Sequence, residues 1–517
     1  MSTQNWISRS VSRLRPQPSA TPATSGTTPS TGKVTEKLPG AAATGVKPAS
    51  KTVAATAEGA AAASPLSKGA GSRSTVERLD ATLRRNGEAL SPRMLRSTLE
   101  ALKAIIDPRV GEVEGGRRAK ALADAYAGAT PARRRDVWSL MSECFVADPQ
   151  RVKAAQAKYA AAVGTPDEAV AEVVYRRATV SRRRRLLQRF SVYPEGIRFL
   201  VDLRAEMQPH LKADKRLLAL DVEMEYMFST WFDVGFLDLR RISWDSPASL
   251  IEKLIKYEAV HDIRSWADVK NRLDSDRRCY GYFHPRLPDE PLIFVEVALV
   301  DDIADSIEPL LDESAAAADL NKATTAIFYS ISNTQNGLRG VSFGDSLIKR
   351  VVESLKAEFP KLKTFATLSP IPGLRGWLTK NLPSVLAGLN DKQRAELGRA
   401  VGFEPPAPQH LLSALDKPLD LPASSPVRAF LLGAAARYLG QEMRDGKPAD
   451  PVARFHLGNG ARVERLNWGG DPSTKGIKQS YGLMVNYLYD LKRLEKHLGL
   501  FAQGKVAVSS QIESLLP

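Results

Sequence analysis

Residues 325–378 read TAIFYSISNTQNGLRGVSFGDSLIKRVVESLKAEFPKLKTFATLSPIPGLRGWL, and the pattern of this segment predicts the centre of the second half of the chain. Thr325–Ser332 is a run of β-branched and aromatic residues without charge, which predicts a buried strand. From Asp345 the apolar residues recur every three or four positions, which predicts an amphipathic helix that ends before Pro360. Thr364–Leu368 is a second apolar run. The order strand, loop, helix, strand predicts a βαβ unit whose two strands are parallel.

The loop between the first strand and the helix carries glycines at positions 337, 340 and 344. Backbone N–H groups of a small-residue loop that leads into a helix N-terminus bind phosphate groups well. Because the carboxyl ends of parallel strands open on one edge of a sheet, Ser369 at the end of the second run is expected near this loop. A phosphorylated ligand would therefore lie on the loop and extend towards Ser369.

Two interpretations of the loop compete. The segment GVSFG at 340–344 matches the G-x-S-x-G elbow of serine hydrolases, in which Ser342 would be the nucleophile. An elbow places its serine directly on the strand-to-helix turn, whereas Ser342 lies ten residues beyond Ser332. In the other interpretation, Arg339, Gly340 and Gly344 resemble the R-G-x-G-x-G pyrophosphate loop of CoA-dependent N-acetyltransferases, which have the GNAT fold.

The charge of the chain is concentrated at its start. The formal net charge is +15, and residues 1–75 contribute +7 of it with nine Lys/Arg against two Glu. The basic runs at 133–135 and 182–185 lie among alanine and leucine at helical spacing, as on a solvated helix face. No basic motif is interleaved with aromatic residues, so the sequence does not favour a nucleic-acid binder. No window approaches the roughly 18 uncharged apolar residues of a membrane span, and none is predicted.

The residues that form disulfides and metal sites are few. Cys144 and Cys279 are far apart in the sequence and form no C-x-x-C motif, which predicts two reduced, packed thiols. The six histidines are scattered and no H-E-x-x-H motif occurs, so the sequence predicts no structural metal site.

Three segments follow from the composition of the 517 residues. Residues 1–75 are rich in Ala, Thr, Ser, Pro and Gly, which predicts a disordered tail. The first residues of this tail are rich in Arg and Ser and free of acids, as mitochondrial presequences are. Residues 76–232 show helical periodicity, which predicts a domain of six to eight helices, with Ser91-Pro92 and Thr165-Pro166 as helix starts. Residues 233–517 are predicted to form an α/β domain.

Within the α/β domain, several further elements are predicted beside the βαβ unit. The Asn459-Gly460 pair, a strong hairpin signal, predicts a turn between two strands. The predicted strands are Leu237–Ile242, Cys279–Phe283, Pro291–Val300, Arg454–Leu457 and Val463–Trp468, and the predicted helices are Ser249–Val260 and Lys478–Leu498.

Several stretches together resemble malonyl-CoA decarboxylases. They are EAVHDIRSWADVKNRL at 258–273, RRCYGYF at 277–283, AIFYSISNTQNGLRGV at 326–341, FATLSPIPGLRGWL at 365–378 and FHLGNGARVERLNW at 455–468. The resemblance implies an α+β multidomain protein: an N-terminal all-helical bundle for oligomerisation, then a GNAT-like α/β catalytic domain. It also implies catalysis without a metal or organic cofactor.

The resemblance also assigns roles to residues. Ser369 falls on the catalytic serine of the family and His456 on its catalytic histidine. The residues implied to bind the substrate are Arg339, Gly340, Val341, Ser342, Phe343, Gly344 and Asp345 in the CoA loop, with Ser330 and Tyr489 in the acyl pocket.

The implied activity is the decarboxylation of malonyl-CoA to acetyl-CoA and CO2, which controls the malonyl-CoA level in fatty acid and malonate metabolism. Loss of CO2 leaves an enolate, so the site needs a hydrogen-bond donor for its oxygen and an acid for its carbon. His456 and Ser369 supply such groups, and which of them protonates the carbon stays open. A CoA-dependent acyltransferase and a serine thioesterase that uses Ser342 are the alternatives. We expect a cytoplasmic homo-oligomer, a dimer or tetramer, with the mitochondrial matrix as the other location.

Overall fold

The structure is a computed structural model that describes residues 90–341 and 347–516. The predicted tail at 1–75 and the loop positions Ser342, Phe343, Gly344 and Asp345 lie outside the described residues.

The first part of the described chain is all helical, as predicted. Eight α-helices lie between residues 90 and 232. The first begins as its sequence predicts, since the Ser91 hydroxyl accepts the Met94 N–H at 3.3 Å and Pro92 takes the first helical position. The helices are α1 (Pro92–Ile105), α2 (Glu112–Ala127), α3 (Pro131–Cys144), α4 (Pro149–Ala162), α5 (Glu168–Thr179), α6 (Arg182–Phe190), α7 (Gly196–Met207) and α8 (Leu218–Trp231).

The predicted helix start at Thr165-Pro166 is wrong. Helix α5 begins at Glu168, with Asp167 in the N-cap position. The Thr165 hydroxyl instead donates to the Ala162 carbonyl at 2.7 Å, at the end of the preceding helix α4. The Thr165 hydroxyl oxygen also accepts the Asp167 N–H at 3.3 Å, so this threonine caps the turn between the two helices and lies two residues before the N-cap of α5.

An eight-stranded sheet forms the centre of the second part. Its strands are β1 (Asp238–Ile242), β2 (Arg277–His284), β3 (Leu287–Val300), β4 (Thr325–Asn333), β5 (Thr364–Thr367), β6 (Ser369–Pro370), β9 (Arg462–Asn467) and β10 (Met484–Leu488), and a separate two-stranded ribbon holds β7 (Met443–Arg444) and β8 (Lys447–Pro448).

The pairing of the strands confirms the predicted βαβ unit. Strands β1 to β4 are antiparallel neighbours, and β4 then pairs in parallel with β5. Strand β10 runs antiparallel to β5 and β6 on one side and to β9 on the other. The helix between β4 and β5 buries an apolar stripe of Leu347, Ile348, Val351, Val352 and Leu355. These residues have the spacing from which the helix was predicted.

Twelve further α-helices lie within residues 233–341 and 347–516. They are α9 (Ala248–Tyr257), α10 (Trp266–Arg272), α11 (Glu308–Leu311), α12 (Leu347–Glu358), α13 (Leu374–Ala387), α14 (Asp391–Val401), α15 (Pro408–Ala414), α16 (Pro426–Gly440), α17 (Pro451–Gly458), α18 (Thr474–Ser480), α19 (Leu494–Ala502) and α20 (Ser510–Glu513). The predicted class, a helical segment followed by a mixed α/β sheet, is confirmed.

Two predictions in the last hundred residues are wrong. The segment Arg454–Leu457 is part of helix α17 and not the first strand of a hairpin. The Asp450 carboxylate accepts the N–H groups of Val452 and Ala453, both at 2.9 Å, and Pro451 takes the first helical position. The predicted helix Lys478–Leu498 is in fact the end of α18, strand β10 and the start of α19.

Candidate active site

Ser369 lies where the interrupted strand β5–β6 faces β10. Its backbone pairs with Val485, and its side chain is 5% exposed. The Ser369 hydroxyl donates to Thr367 Oγ1 at 2.8 Å. Thr367 Oγ1 also accepts the Tyr487 N–H at 3.1 Å, so the neighbouring strand β10 fixes the oxygen to which Ser369 donates. The orientation of the Ser369 hydroxyl is therefore set by the sheet.

His456 reaches the same place from helix α17. Its side chain is 3% exposed, and its ring lies against the Tyr487 ring with the centroids 4.7 Å apart. The Asp450 carboxylate that caps α17 is fully buried, and burial raises the pKa of this carboxyl. The helix start and the stacked ring together fix the position of the imidazole.

A continuous chain of hydrogen bonds joins these groups. The distance from His456 Nε2 to Ser369 Oγ is 3.3 Å, and that from His456 Nδ1 to the Tyr489 hydroxyl is 2.8 Å. Because the Ser369 hydroxyl donates to Thr367, its oxygen is left to accept from Nε2–H. Nδ1 then accepts from the Tyr489 hydroxyl. The directions of the bonds thus assign the tautomer of His456.

Burial keeps the chain uncharged at neutral pH. It lowers the pKa of His456 to about 3 and raises the pKa of Tyr489 well above its ordinary value. The imidazole is therefore neutral, with one nitrogen that donates and one that accepts. Such a group can donate a hydrogen bond to a developing negative charge without bringing a charge of its own into the site.

A groove of about 680 Å³ runs along helix α17, which carries His456, although Ser369, His456 and Tyr489 do not themselves line it. One wall is the segment after β4, including Arg339, Gly340 and Val341. The opposite wall comes from α17 and α19, and one of its residues is Phe455, the neighbour of His456. The groove therefore leads from the predicted CoA loop to the helix that carries the histidine. Its other basic residues are Lys447 and Arg454, and its apolar residues include Leu498 and Phe501.

The predicted site residues that the structure describes fall mainly into two sets. Ser369, His456 and Tyr489 are in hydrogen-bond contact, and Arg339, Gly340 and Val341 line the groove. Gly340 has φ +85°, a conformation that favours glycine.

Ser330 is not with them. Its hydroxyl donates to the Glu258 carboxylate, with distances of 2.8 and 2.9 Å to the two oxygens. The registers Val297↔Phe328 and Glu296↔Ser330 leave one extra residue in β4, which is a β-bulge. Val297 and Glu296 are adjacent on β3, so their side chains point to opposite faces of the sheet. Their partners Phe328 and Ser330 therefore point to opposite faces as well. Phe328 contacts Tyr489, so Ser330 lies on the other face of the sheet.

Thr367 and Tyr487 are site residues that the sequence analysis missed. Thr367 precedes Ser369 by two positions, and residues two apart in a strand share a face. That spacing could have identified Thr367. Nothing local in the sequence marks Tyr487, which becomes a neighbour of His456 only through the pairing of β10.

Two kinds of feature are absent from residues 90–341 and 347–516. In those ranges, no group of three or more His, Cys, Asp or Glu side chains is placed to hold a metal ion. Over the same residues, no helix has the length and apolarity that crossing a membrane requires.

A buried, uncharged chain of titratable side chains is typical of the acid–base site of an enzyme. Comparisons with known proteins identify the family. The family model for the malonyl-CoA decarboxylase C-terminal domain matches residues 235–517, and the model for its N-terminal domain matches residues 145–232. The chain belongs to the malonyl-CoA decarboxylase family and is a decarboxylase.

Individual relatives agree with the family models. Mitochondrial malonyl-CoA decarboxylase of Anser anser anser is 37% identical over 410 residues, which are 74% of this chain and 80% of that protein. The crystal structure of malonyl-CoA decarboxylase from Rhodopseudomonas palustris matches with a TM-score of 0.72 and 40% identity, over 81% of this chain and 99% of that one. That from Cupriavidus metallidurans matches with a TM-score of 0.68 and 43% identity, over 82% and 100%.

Proposed function

We propose that Ser369 and His456, supported by Tyr489, decarboxylate malonyl-CoA to acetyl-CoA and CO2. The observation that carries the proposal is the buried hydrogen-bonded chain from Thr367 through Ser369 and His456 to Tyr489. No charged side chain takes part in it. The hydrogen-bond donors of such a chain can leave their present acceptors and donate to a reacting group instead.

The reaction breaks the bond between the malonyl carboxylate and the carbon next to the thioester. The electron pair moves into that carbon and the thioester oxygen, so CO2 leaves and an enolate remains. A proton on the carbon then gives acetyl-CoA. The enolate oxygen needs a hydrogen bond that strengthens as its charge develops, and the neutral Nε2–H of His456 is suited to give one. The Ser369 hydroxyl, which lies next to it, is the second proton donor.

Burial assists the same step. The negative charge of the substrate is most stable in water as a carboxylate, and a site from which water is excluded disfavours that form relative to the spread charge of the enolate. Ser369 and His456 are 5% and 3% exposed, so a carboxylate that reaches them loses most of its hydration.

The groove is proposed to hold the CoA part of the substrate. Arg339, Lys447 and Arg454 line it and supply positive charge for phosphate groups. Phe455 and Phe501 supply the apolar surface that the pantetheine arm requires. In this placement, the loop at 339–345 holds the phosphates and the thioester extends towards Ser369.

The remaining proposals concern the whole protein. The domain division at residues 232 and 233 falls between α8 and β1, and the helical domain is proposed to form a homo-oligomer, a dimer or tetramer. Its hairpin of α4 and α5 leaves Val170, Val173 and Val174 exposed to solvent, which is unusual for adjacent valines in a monomer. We place the enzyme in the cytoplasm, or else in the mitochondrial matrix, where it would lower the malonyl-CoA level in fatty acid and malonate metabolism.

Product analysis tests the activity. Purified protein incubated with malonyl-CoA should release acetyl-CoA and CO2 in equal amounts. Release of free CoA with malonate would instead show a thioesterase, and turnover only after addition of an amine acceptor would show an acyltransferase. A serine-directed fluorophosphonate should not label Ser342, since the proposed reaction has no acyl-enzyme intermediate.

A further inference from the structure

The segment that leads into the proposed CoA loop is docked on a helix of the other part of the chain. The Arg198 guanidinium on α7 donates to the Gln335 side-chain oxygen at 2.6 Å. One turn further along α7, the Val201 carbonyl lies so close to Gly337 that a Cβ on this glycine would be 1.9 Å from the carbonyl oxygen. Arg204 follows after another turn. The three residues share one face of α7.

Arg204 makes the strongest of these contacts. Its side chain is 1% exposed, and one of its nitrogens, Nη1, donates to the carbonyls of Gly337 at 2.8 Å and Arg339 at 2.9 Å. The other two nitrogens pair with Asp221 at 2.8 Å and Glu225 at 3.2 Å on α8. The carboxylates balance the buried charge, and Nη1 is left to hold the loop.

This contact sets the direction of the next peptide group. The bond between Arg339 and Gly340 is trans, so its C=O and N–H point to opposite sides. Since the Arg339 carbonyl is held by Arg204, the Gly340 N–H points away from Arg204. Gly340 itself lines the groove. The guanidinium thus orients a backbone donor in the segment where phosphate groups are proposed to bind.

We propose that Arg204, a residue of the helical segment, is a positioning residue for the CoA loop and so governs the affinity for the nucleotide part of the substrate. The inference rests on the proposed function. The hydrogen-bond partners of Arg204 are Asp221, Glu225 and the loop carbonyls, and not Ser369 or His456. Its loss should therefore weaken the capture of CoA, because a loop that holds its binding conformation for a smaller fraction of the time binds in proportion more weakly.

Two substrates separate this role from a general structural one. Malonyl-CoA meets the loop, whereas malonyl-pantetheine has the same thioester but lacks the nucleotide and its phosphates. Arg204→Lys keeps the charge opposite Asp221 and Glu225 but cannot reach both loop carbonyls as well. We expect it to lower kcat/KM for malonyl-CoA roughly tenfold or more, through KM, and to change kcat/KM for malonyl-pantetheine less than about twofold.

Arg272→Lys is the matched control. Arg272 is also buried, at 2% exposure, and it also pairs with two carboxylates, those of Asp268 and Glu296, and with a backbone carbonyl, that of His261. It does not contact the loop. Any loss of activity in this variant should affect the two substrates by the same factor.

Gly337→Ala tests the docking with Arg204 intact and covers the case in which Arg204→Lys does not fold. Its methyl group cannot fit against the Val201 carbonyl, so the loop must move and the same selective loss is expected. The inference would be overturned if Gly337→Ala and Arg204→Lys lowered kcat/KM by the same factor for both substrates. It would also be overturned if these variants lowered kcat/KM for neither substrate.

Calorimetry with CoA alone separates this inference from the proposed function, because the binding of CoA involves no chemistry. Arg204→Lys should weaken the binding of CoA roughly tenfold. If the wild-type protein binds CoA but forms no acetyl-CoA, the proposed function is wrong while the calorimetric result still decides the role of Arg204. An unchanged Kd for CoA in Arg204→Lys overturns that role.

Discussion

At the scale of single residues, the proposed chemistry depends on how burial sets the charge of His456. An exposed histidine is partly protonated near neutral pH, whereas this imidazole has its pKa lowered to about 3 by burial alone. A neutral donor stabilises an enolate without the desolvation cost of an imidazolium. It also means that the Ser369–His456 pair keeps one protonation state across the physiological range.

The same shift predicts a pH dependence of stability. Between the pKa of about 3 in the folded state and 6.5 in the unfolded state, only the unfolded state binds a proton at His456. The stabilisation is therefore complete above pH 6.5 and is lost as the pH falls, at about 1.4 kcal/mol per pH unit. His456→Gln should show a shallower fall in unfolding free energy than wild type in urea titrations at pH 7.5, 6 and 5. Parallel pH profiles would contradict the buried neutral state.

Tyr489 is predicted to act through His456. Its hydroxyl donates to Nδ1 and so keeps the proton on Nε2, which faces Ser369. Tyr489→Phe should lower kcat roughly tenfold, the scale of a lost orienting group, with little change in KM. Tyr487→Phe is the control, because it keeps the ring that stacks on His456 and removes a hydroxyl that has no hydrogen bond among the described residues. Similar kinetics for the two variants would remove Tyr489 from the mechanism.

At the scale of elements, the loop after β4 depends on a left-handed residue. Gly340 has φ +85°, while the nearest atom to a Cβ there, in the Glu225 carboxyl group, would be 3.5 Å away, which is ordinary contact. A side chain is therefore excluded by backbone strain and not by lack of space. This strain amounts to roughly 1–2 kcal/mol.

Gly340→Val is accordingly predicted to raise KM for malonyl-CoA roughly tenfold and leave the fold intact. Gly402→Val imposes the same kind of strain at φ +78°, with open space around it, at the end of α14. It should lower stability without a change in KM. An unchanged affinity for CoA in Gly340→Val, measured by calorimetry, would exclude this loop from the binding site.

The sequence correctly predicted the elements that have a strong local pattern. Its predictions were wrong where contacts with other parts of the chain determine the structure. The strand at Thr325, the helix that buries Val351 and the strand at Thr364 each carry their own periodicity, and all three form as predicted. The hairpin at Asn459-Gly460 does not form, because Asp450 and Pro451 start a helix that reaches this turn. The helix cap at Asp450 therefore determines the structure here, and the Asn-Gly turn signal does not.

The candidate site shows the same division. The family resemblance named Ser369, His456 and Tyr489, and their side chains are in hydrogen-bond contact, although His456 is on a helix and Tyr489 follows a strand that was predicted as helix. Ser330 lies on the other face of β4, away from Tyr489, because of a β-bulge. One extra residue in a ladder has no reliable signature in a single sequence.

At the scale of the whole molecule, the helical segment has two roles. Helix α7 docks the loop after β4, and the hairpin of α4 and α5 presents apolar residues to solvent. Val170, Val173 and Val174 are 67%, 46% and 45% exposed. Burial of such side chains against a second copy would stabilise an oligomer by the hydrophobic effect.

The oligomer prediction can be tested by substitution of two of these valines. Val173→Glu with Val174→Glu should reduce the mass measured by light scattering at micromolar concentration, since each carboxylate would be buried in the contact. Val113→Glu changes a valine that is 81% exposed on α2 and should leave the mass unchanged. A double variant with the wild-type mass would place the interface elsewhere.

Ser369 and His456, and not Ser342, are proposed to carry out the reaction. The most direct test is kcat for malonyl-CoA in Ser369→Ala, His456→Gln and Ser342→Ala, each with its melting temperature as a check on folding. We expect the first two to lose roughly 100-fold or more in kcat, the scale of positioned acid–base and oxyanion groups, and Ser342→Ala to lose far less. An inactive Ser342→Ala beside a nearly intact Ser369→Ala would contradict the account.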